Sequence, residues 1–367
     1  MDVLTRRFGL RRFAAFAAAF ALSILSTACQ APYLIKSAWS QAGLLNAREP
    51  LDSVLAKRDL ADSVRAKLLL ARDAKLFAEV GLGLKKTRNY ESYVELGRSH
   101  VSYVVSAAPK DRLEHFEWWF PIVGHVPYKG YFNPEDAKAE AESLKQDGLD
   151  VVVRGVSAYS TLGWFRDPIL SSMLRYTDYD LANTIIHETV HATLYIKGNA
   201  DFNERLATFI GNLGADMFFL KRDGAESATL KNAEIETADE RLFTDFISKQ
   251  IDILKAWYEK NQLTAGATAA TFEENRRLQF KGIFEEFKNR IAPQLGNEKY
   301  RNRLLEELAP ESLTNARLLL WRLYFHDLSD FERAYAKLGK NPSRFMEFAK
   351  SLEKSKDPEL ALKEFVQ

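Results

Sequence analysis

Cysteine is nearly absent from this chain, since Cys29 is the only one among its 367 residues. An intramolecular disulfide is therefore excluded, and so is a structural zinc site built from several thiolates. Neither sign of charge is in excess, with 51 Lys and Arg against 50 Asp and Glu. Because no basic stripe is present, the sequence predicts no nucleic-acid partner. Histidine is also scarce, with six residues, so two at a metal-binding spacing are informative.

Long apolar runs are lacking near the N-terminus as well. The apolar segment 13–24 has twelve residues, whereas a membrane-spanning helix needs about 20. It follows four arginines and has the length of a signal-peptide core. Residues 25–29 resemble the bacterial lipobox, in which cleavage leaves a diacylated cysteine, although Ser26 stands where leucine is usual.

From this pattern we predict a signal peptide over 1–28, lipidation of Cys29 and a tether over 29–50. The anchor would make the protein a lipoprotein of the bacterial cell envelope. Gln30 is not the acid that commonly retains lipoproteins at the inner membrane, so we expect the outer membrane, facing the periplasm. The alternative is an ordinary secretory signal with an incidental cysteine.

The remaining chain predicts an α+β fold that is predominantly helical. Short β-branched runs occur near 103–106 and 150–160, and helical spacing of apolar residues dominates elsewhere. We expect a small strand-containing, zincin-like core within 51–221, which includes N-terminal helices. A C-terminal helical region is expected over 222–367. Further helices are predicted at 51–80, 133–148, 180–197 and 202–220, and one is predicted to begin at Asp167-Pro168.

The motif that carries chemistry is His187-Glu188-Thr189-Val190-His191, an H-E-x-x-H sequence. Residues i and i+4 share one face of a helix, so both imidazoles can reach one metal ion. Glu188 lies beside them, where it can take a proton from metal-bound water. The alternative is a pair of buried structural histidines. Two histidines and a glutamate on a mostly apolar helix would be costly without strong partners, which favours a metal.

A catalytic zinc ion usually has three protein ligands, so a third is expected downstream. The metzincin pattern is excluded, because Leu194 and Lys197 stand where it needs Gly and His. Glu204 follows a helix break at Gly198 and would complete a His₂Glu site of the gluzincin type. Asp201 is a rival for the same position.

A substrate-binding edge strand is expected just before the zinc helix, since peptides commonly add to such an edge. Segment 155–165 is the candidate, and its alternative is an ordinary core strand. A hydroxyl or imidazole is also expected at the developing oxyanion. The candidate substrate contacts in this segment are Tyr159, Ser160, Thr161, Gly163 and Trp164. The rivals to Tyr159 at the oxyanion are Tyr128, Tyr131, Tyr195 and His326.

These residues resemble a bacterial "predicted aminopeptidase" family of zinc metallopeptidase lipoproteins. The resemblance implies a zinc cofactor on His187, His191 and Glu204, with Glu188 as the base and a peptide as substrate. Some members carry two cysteines near the positions of Trp119 and His125, and this chain lacks that local cross-link. The matching segments are 120–132, 158–168, 187–191, 195–198 and 202–209.

The predicted function is therefore hydrolysis of peptide bonds by zinc-activated water, as in an aminopeptidase. Two other classes stay open at this point. One is a non-catalytic envelope lipoprotein with a structural zinc site, and the other is a peptide-binding module that does not cleave. An intact Glu188 argues against both.

Overall fold

The structure is a computed structural model that describes residues 32–120, 124–158, 166–261, 269–324 and 327–367. Helices dominate these ranges and the strands are few and short, which confirms a predominantly helical α+β fold. None of the described helices has both the length and the apolar character needed to cross a bilayer.

The N-terminal part is helical from its first described residue. Helix α1 occupies residues 32–46, within the segment predicted as a tether, and it contacts the body of the protein through Tyr33 and Leu44. The predicted helix 51–80 is interrupted, because residues 56–61 separate two helices. Its elements are α2 (Leu51–Leu55), α3 (Asp62–Leu76) and a π turn (Phe77–Gly81).

The main sheet has three strands in the order β6-β3-β7, which leaves β7 at an edge. Both neighbours run antiparallel to β3, with Val104 opposite Gly130 and Arg154. Helix α4 packs on this sheet and begins as expected, since the Asn133 side chain accepts a hydrogen bond from the Glu135 amide. The elements are β3 (Ser102–Ala108), β6 (Lys129–Tyr131), α4 (Pro134–Gln146) and β7 (Asp150–Val156).

Two smaller sheets complete the strand content of the described residues. One has the order β1-β2-β8 and the other pairs β4 with β5. The helix predicted at Asp167-Pro168 was wrong, because the chain there forms β8 and then a 3₁₀ turn over Ser171–Arg175. The strands are β1 (Glu49–Pro50), β2 (Ser92–Val94), β4 (Trp118–Phe120), β5 (Gly124–Val126) and β8 (Ile169–Leu170).

Helices α5 (Asp178–Thr193) and α6 (Ala200–Asp223) are joined by a short connection and pack tightly against each other. The Thr177 side chain caps α5 by accepting a hydrogen bond from the Asp180 amide. Close approach depends on Gly211, since a Cβ there would lie 2.9 Å from Asn183 Oδ1 and 3.3 Å from His187 Cβ.

The C-terminal helices do not form one separate layer. Helices α7 to α9 share an apolar core, α10 packs on β3 and β7, and α11 to α13 return to cover α5 and α6. Phe209 of α6, for example, stacks on Phe331 and contacts Phe345. These helices are α7 (Ala228–Lys260), α8 (Ala269–Glu286), α9 (Glu298–Leu308), α10 (Asn315–Tyr324), α11 (Ser329–Lys337), α12 (Pro342–Leu352) and α13 (Pro358–Val366).

Candidate metal centre

The H-E-x-x-H motif lies in the last two turns of α5, and Glu204 lies in the second turn of α6. The return between the helices is held by Asn203, which is 1% exposed. Its side chain accepts a hydrogen bond from the Ile196 amide and donates one to the Ile196 carbonyl, both at 2.8 Å. Gly198 turns the chain with φ of +83°, a conformation that favours glycine. This buried clamp therefore fixes the first turns of α6 beside the end of α5.

Three potential ligands converge at this place. The Nε2 atoms of His187 and His191 are 3.1 Å apart. Glu204 Oε2 lies 3.5 Å from the first of these atoms, and Oε1 lies 3.4 Å from the second. Zinc–ligand bonds of about 2.0–2.1 Å at tetrahedral angles imply ligand separations of about 3.3–3.4 Å. The observed separations of 3.1–3.5 Å therefore allow the three side chains to hold one metal ion.

The site is open on one side. The side chain of His191 is 3% exposed, that of His187 19% and that of Glu204 49%. Three ligands with a solvent-facing side suit a catalytic metal ion, which needs a free position, better than a structural one, which usually has four protein ligands. The buried Nδ1 of His191 has no hydrogen-bond partner among the described residues, although a carboxylate or carbonyl often orients a metal-bound histidine through this atom.

The charges of the triad are strongly coupled. Burial lowers the pKa of His191, but the hydrogen bond and charge of Glu204 outweigh it and raise that pKa. Burial raises the pKa of Glu204, yet the hydrogen bonds of this carboxylate to His187 and His191 hold its pKa well below the usual range. The carboxylate therefore stays ionised and attracts positive charge to this point, whether a proton on imidazole or a metal ion.

Glu188 is half-buried, one residue along α5 from the first histidine. Its negative charge affects the pKa of two tyrosines, Tyr90 and Tyr176, that were not predicted as site residues. Burial raises the pKa of Tyr90, and the carboxylates of Glu188 and Asp167 raise it further. Burial raises the pKa of Tyr176 as well, and the charges of Asp180 and, to a smaller extent, Glu188 add to it. Both phenols thus stay protonated near the proposed base and can donate hydrogen bonds.

Tyr90 has an unusual backbone, with φ of +61°. Its amide donates to the Asp167 carbonyl at 2.6 Å, and the Asp167 amide donates to Asn89 Oδ1. Tyr90 also borders a cleft of about 730 Å³ that is lined by arginines and acids. A left-handed backbone at a bulky residue is costly and often marks a functional site. Nothing in the local sequence distinguishes this tyrosine, which lies far from the motif along the chain.

The other predicted site residues are distributed as follows. Asp201 is exposed in the first turn of α6 and is not in the group of described ligand atoms that lie within 4.8 Å of one another. The ring of Tyr195 lies 6.4 Å from that of His191, whereas Tyr131 packs against Tyr33 beside α4. Several predicted residues lie outside the described ranges, namely Cys29, Tyr159, Ser160, Thr161, Gly163, Trp164 and His326.

A helix pair that brings two imidazoles and a carboxylate to one point is a candidate metal centre. Residues 32–362 match the model of a family described as "Putative aminopeptidase". Because the match covers most of its length, the chain belongs to this family. No curated protein and no solved structure matches it.

Proposed function

We propose that the protein is a zinc-dependent peptidase, and an aminopeptidase as the family description suggests. The observation that carries the proposal is the triad itself. Its ligand atoms are separated by 3.1–3.5 Å, as in a tetrahedral site, and Glu188 follows the first ligand directly. The family match supports a peptidase at the coarser level.

The residues have distinct roles in this proposal. His187 and His191 would hold zinc through Nε2, and Glu204 would add a negative ligand. Zinc bound there would supply a Lewis acid and lower the pKa of its water. Glu188 would accept a proton from the attacking water and deliver it to the leaving amine. Tyr195, beside His191, and the buried Tyr90 are candidates to donate a hydrogen bond to the oxyanion.

Substrate binding is proposed along the edge of the main sheet. Strand β7 ends at Val156 and so includes the first two residues of segment 155–165. Among the described strands β7 pairs with β3 alone, so its other edge offers backbone groups to an extended peptide. Tyr159, Ser160, Thr161, Gly163 and Trp164, which follow β7 in the sequence and lie outside the described residues, stay the proposed substrate contacts.

A metal and peptide-hydrolysis experiment tests the proposal. We expect about one zinc ion per chain in the purified protein. Peptides with a free amino terminus should be cleaved, and chelation should abolish cleavage until zinc is restored. His187→Ala should lose metal and activity, whereas His125→Ala, a change at an exposed histidine, should keep both. Wild-type protein that contains no metal and gains no activity from zinc would refute the proposal.

For location, we propose that Cys29 is diacylated and holds the protein at the outer membrane, facing the periplasm. The support is the signal-like sequence 1–28 followed by the only cysteine. Cys29→Ser should abolish labelling by a fatty-acid analogue and change membrane fractionation. Unchanged labelling of this variant would contradict the anchor.

A further inference from the structure

The outward side of α1 is apolar, which is unusual for a surface helix. Leu34 is 45% exposed, Ile35 69% and Trp39 81%, and Ala38 and Ala42 are exposed as well. At 3.6 residues per turn these five positions cover a continuous arc of about 140°. We call this surface the outer face of α1. A helix on a globular protein normally turns such a stripe toward the core.

The opposite side of α1 is polar and holds the helix in this orientation. The Tyr33 hydroxyl donates to the Gly130 carbonyl at 2.8 Å. Lys36 forms an ion pair with Asp136 at 2.5 Å, and Leu44 is buried at the far end. Because these contacts lie on the inner side, the outer face cannot turn inward without breaking them.

The neighbouring sequence indicates what covers the outer face. Helix α1 begins three residues after Cys29, a distance of at most about 10 Å in extended chain. Tryptophan favours the boundary between water and lipid, where an apolar ring and a polar N–H are both accommodated.

We propose that the outer face of α1 lies in the interfacial layer of the membrane to which Cys29 is anchored. This inference rests on the proposed lipid anchor and does not depend on peptidase activity. Two acyl chains already give stable attachment, so α1 orients the protein more than it retains it. Two residues beyond the end of α1, Arg48 Nη1 donates to the Arg166 carbonyl at 2.9 Å, next to segment 155–165.

Fluorescence quenching tests this orientation directly. The full-length lipidated protein would be reconstituted into phosphatidylethanolamine–phosphatidylglycerol vesicles that contain lipids brominated near the head group. We expect part of the tryptophan emission to be quenched, and Trp39→Phe should remove about half or more of that quenched part because this ring is interfacial. Trp257→Phe is the matched control, because Trp257 packs against Phe272 in α8, and it should leave the quenched part unchanged.

Quenching that is absent, or that survives Trp39→Phe, overturns the proposal, even when fatty-acid labelling shows an intact anchor. Quenching of Trp39 emission in protein that shows no fatty-acid labelling supports the membrane contact and refutes only the anchor.

A second experiment measures the oligomeric size, in detergent-free solution, of two double variants that each introduce two aspartates. If Ile35→Asp with Trp39→Asp dissociates an oligomer that Ile253→Asp with Leu278→Asp leaves intact, the outer face binds a second copy and the membrane proposal is wrong. Hydrolysis of a small soluble peptide should be equal in all variants.

Discussion

Two ionic clusters of this protein differ in how their charges are balanced. In the first, which we call the ionic network, Arg276 is 2% exposed and donates to Asp150 and to Glu273. Asp150 also accepts a hydrogen bond from the Asn315 amide at 2.8 Å. The Tyr258 hydroxyl donates to the Asn315 side chain at 2.8 Å. Donors and acceptors therefore satisfy one another, and the network joins α8 and α10 to β7.

The second cluster is the triad of His187, His191 and Glu204. Its three ligand atoms converge on one place, and among the described residues the ion pairs of Glu204 are with the two imidazoles themselves. The positive charge in these pairs is a proton on an imidazole. A closed set of partners stabilises the fold, whereas a convergent set of acceptors can be balanced by protons on the imidazoles or by a metal ion. The comparison thus separates a structural cluster from a proposed functional one.

The largest expected effect distinguishes the base from the ligands. Glu188→Gln keeps the size of the side chain but cannot accept a proton, so activity should fall about 10²–10⁴-fold while zinc is retained. Glu204→Gln is the same change at a proposed ligand, and it should lower metal content together with activity. Elemental analysis and peptide hydrolysis measure both.

Two outcomes would break this assignment. If Glu204→Gln kept full zinc and activity while Asp201→Asn lost both, Asp201 would be the third ligand. If Glu188→Gln stayed active, the hydrolytic mechanism would be wrong.

The next effect concerns stability alone. Arg276→Met leaves the Asp150 carboxylate buried without its cation, which should cost about 3–5 kcal/mol. Arg277→Met is the matched control at a side chain that is 74% exposed, and it should cost less than about 1 kcal/mol. Denaturant unfolding gives both values. Zinc content of the folded Arg276→Met protein should be unchanged, and a selective loss of zinc would show that the two clusters are coupled.

A smaller effect should follow from crowding the helix pair. In Gly211→Ala the new methyl group would press on Asn183 and on the Cβ of His187, at a cost of about 1–3 kcal/mol. Because His187 is displaced, zinc affinity should fall as well. Gly282→Ala meets nothing within 4 Å and should stabilise α8 by about 0.5–1 kcal/mol. Calorimetry and zinc titration of both variants test these expectations. If Gly211→Ala bound zinc as tightly as the wild type, the proposed role of Gly211 would be wrong.

The smallest effect is a pH dependence in the metal-free protein. The raised pKa of His191 gives stability that is complete below about pH 6.5 and is lost as pH rises through the folded value. The lowered pKa of Glu204 gives stability above about pH 4.3 that is lost as pH falls through its folded value. The pair therefore stabilises the metal-free protein most between these limits.

We accordingly expect the Tm of the chelated protein to fall as pH rises from about 6.5 through the raised pKa of His191. Bound zinc should remove this decline, because it takes the place of the proton on the imidazoles. Glu204→Gln should remove it without zinc. A decline that persists in Glu204→Gln would locate its origin outside the triad.

Some elements follow from local sequence because their causes are local. The i, i+4 spacing of His187 and His191 places both on one helix face wherever that helix packs. Asn133 and Pro134 begin α4 through a hydrogen bond to the nearby Glu135 amide. The same kind of signal, a capping residue followed by proline, gave a wrong helix prediction at Asp167-Pro168. There the Tyr90 amide binds the Asp167 carbonyl, and β8 pairs with β2. These partners lie far away in sequence.

The sequence by itself determined the helical character of the chain, the H-E-x-x-H face and the two carboxylates that compete to join it. Only the tertiary structure shows which of them lies beside the histidines, and it is Glu204, because the Asn203 clamp and the close packing at Gly211 set where α6 lies on α5. It also decided that α1 presents its apolar stripe outward, since Tyr33 and Lys36 bind partners near 130–136. Local periodicity shows that a helix has two faces, and only long-range contacts select the one that is buried.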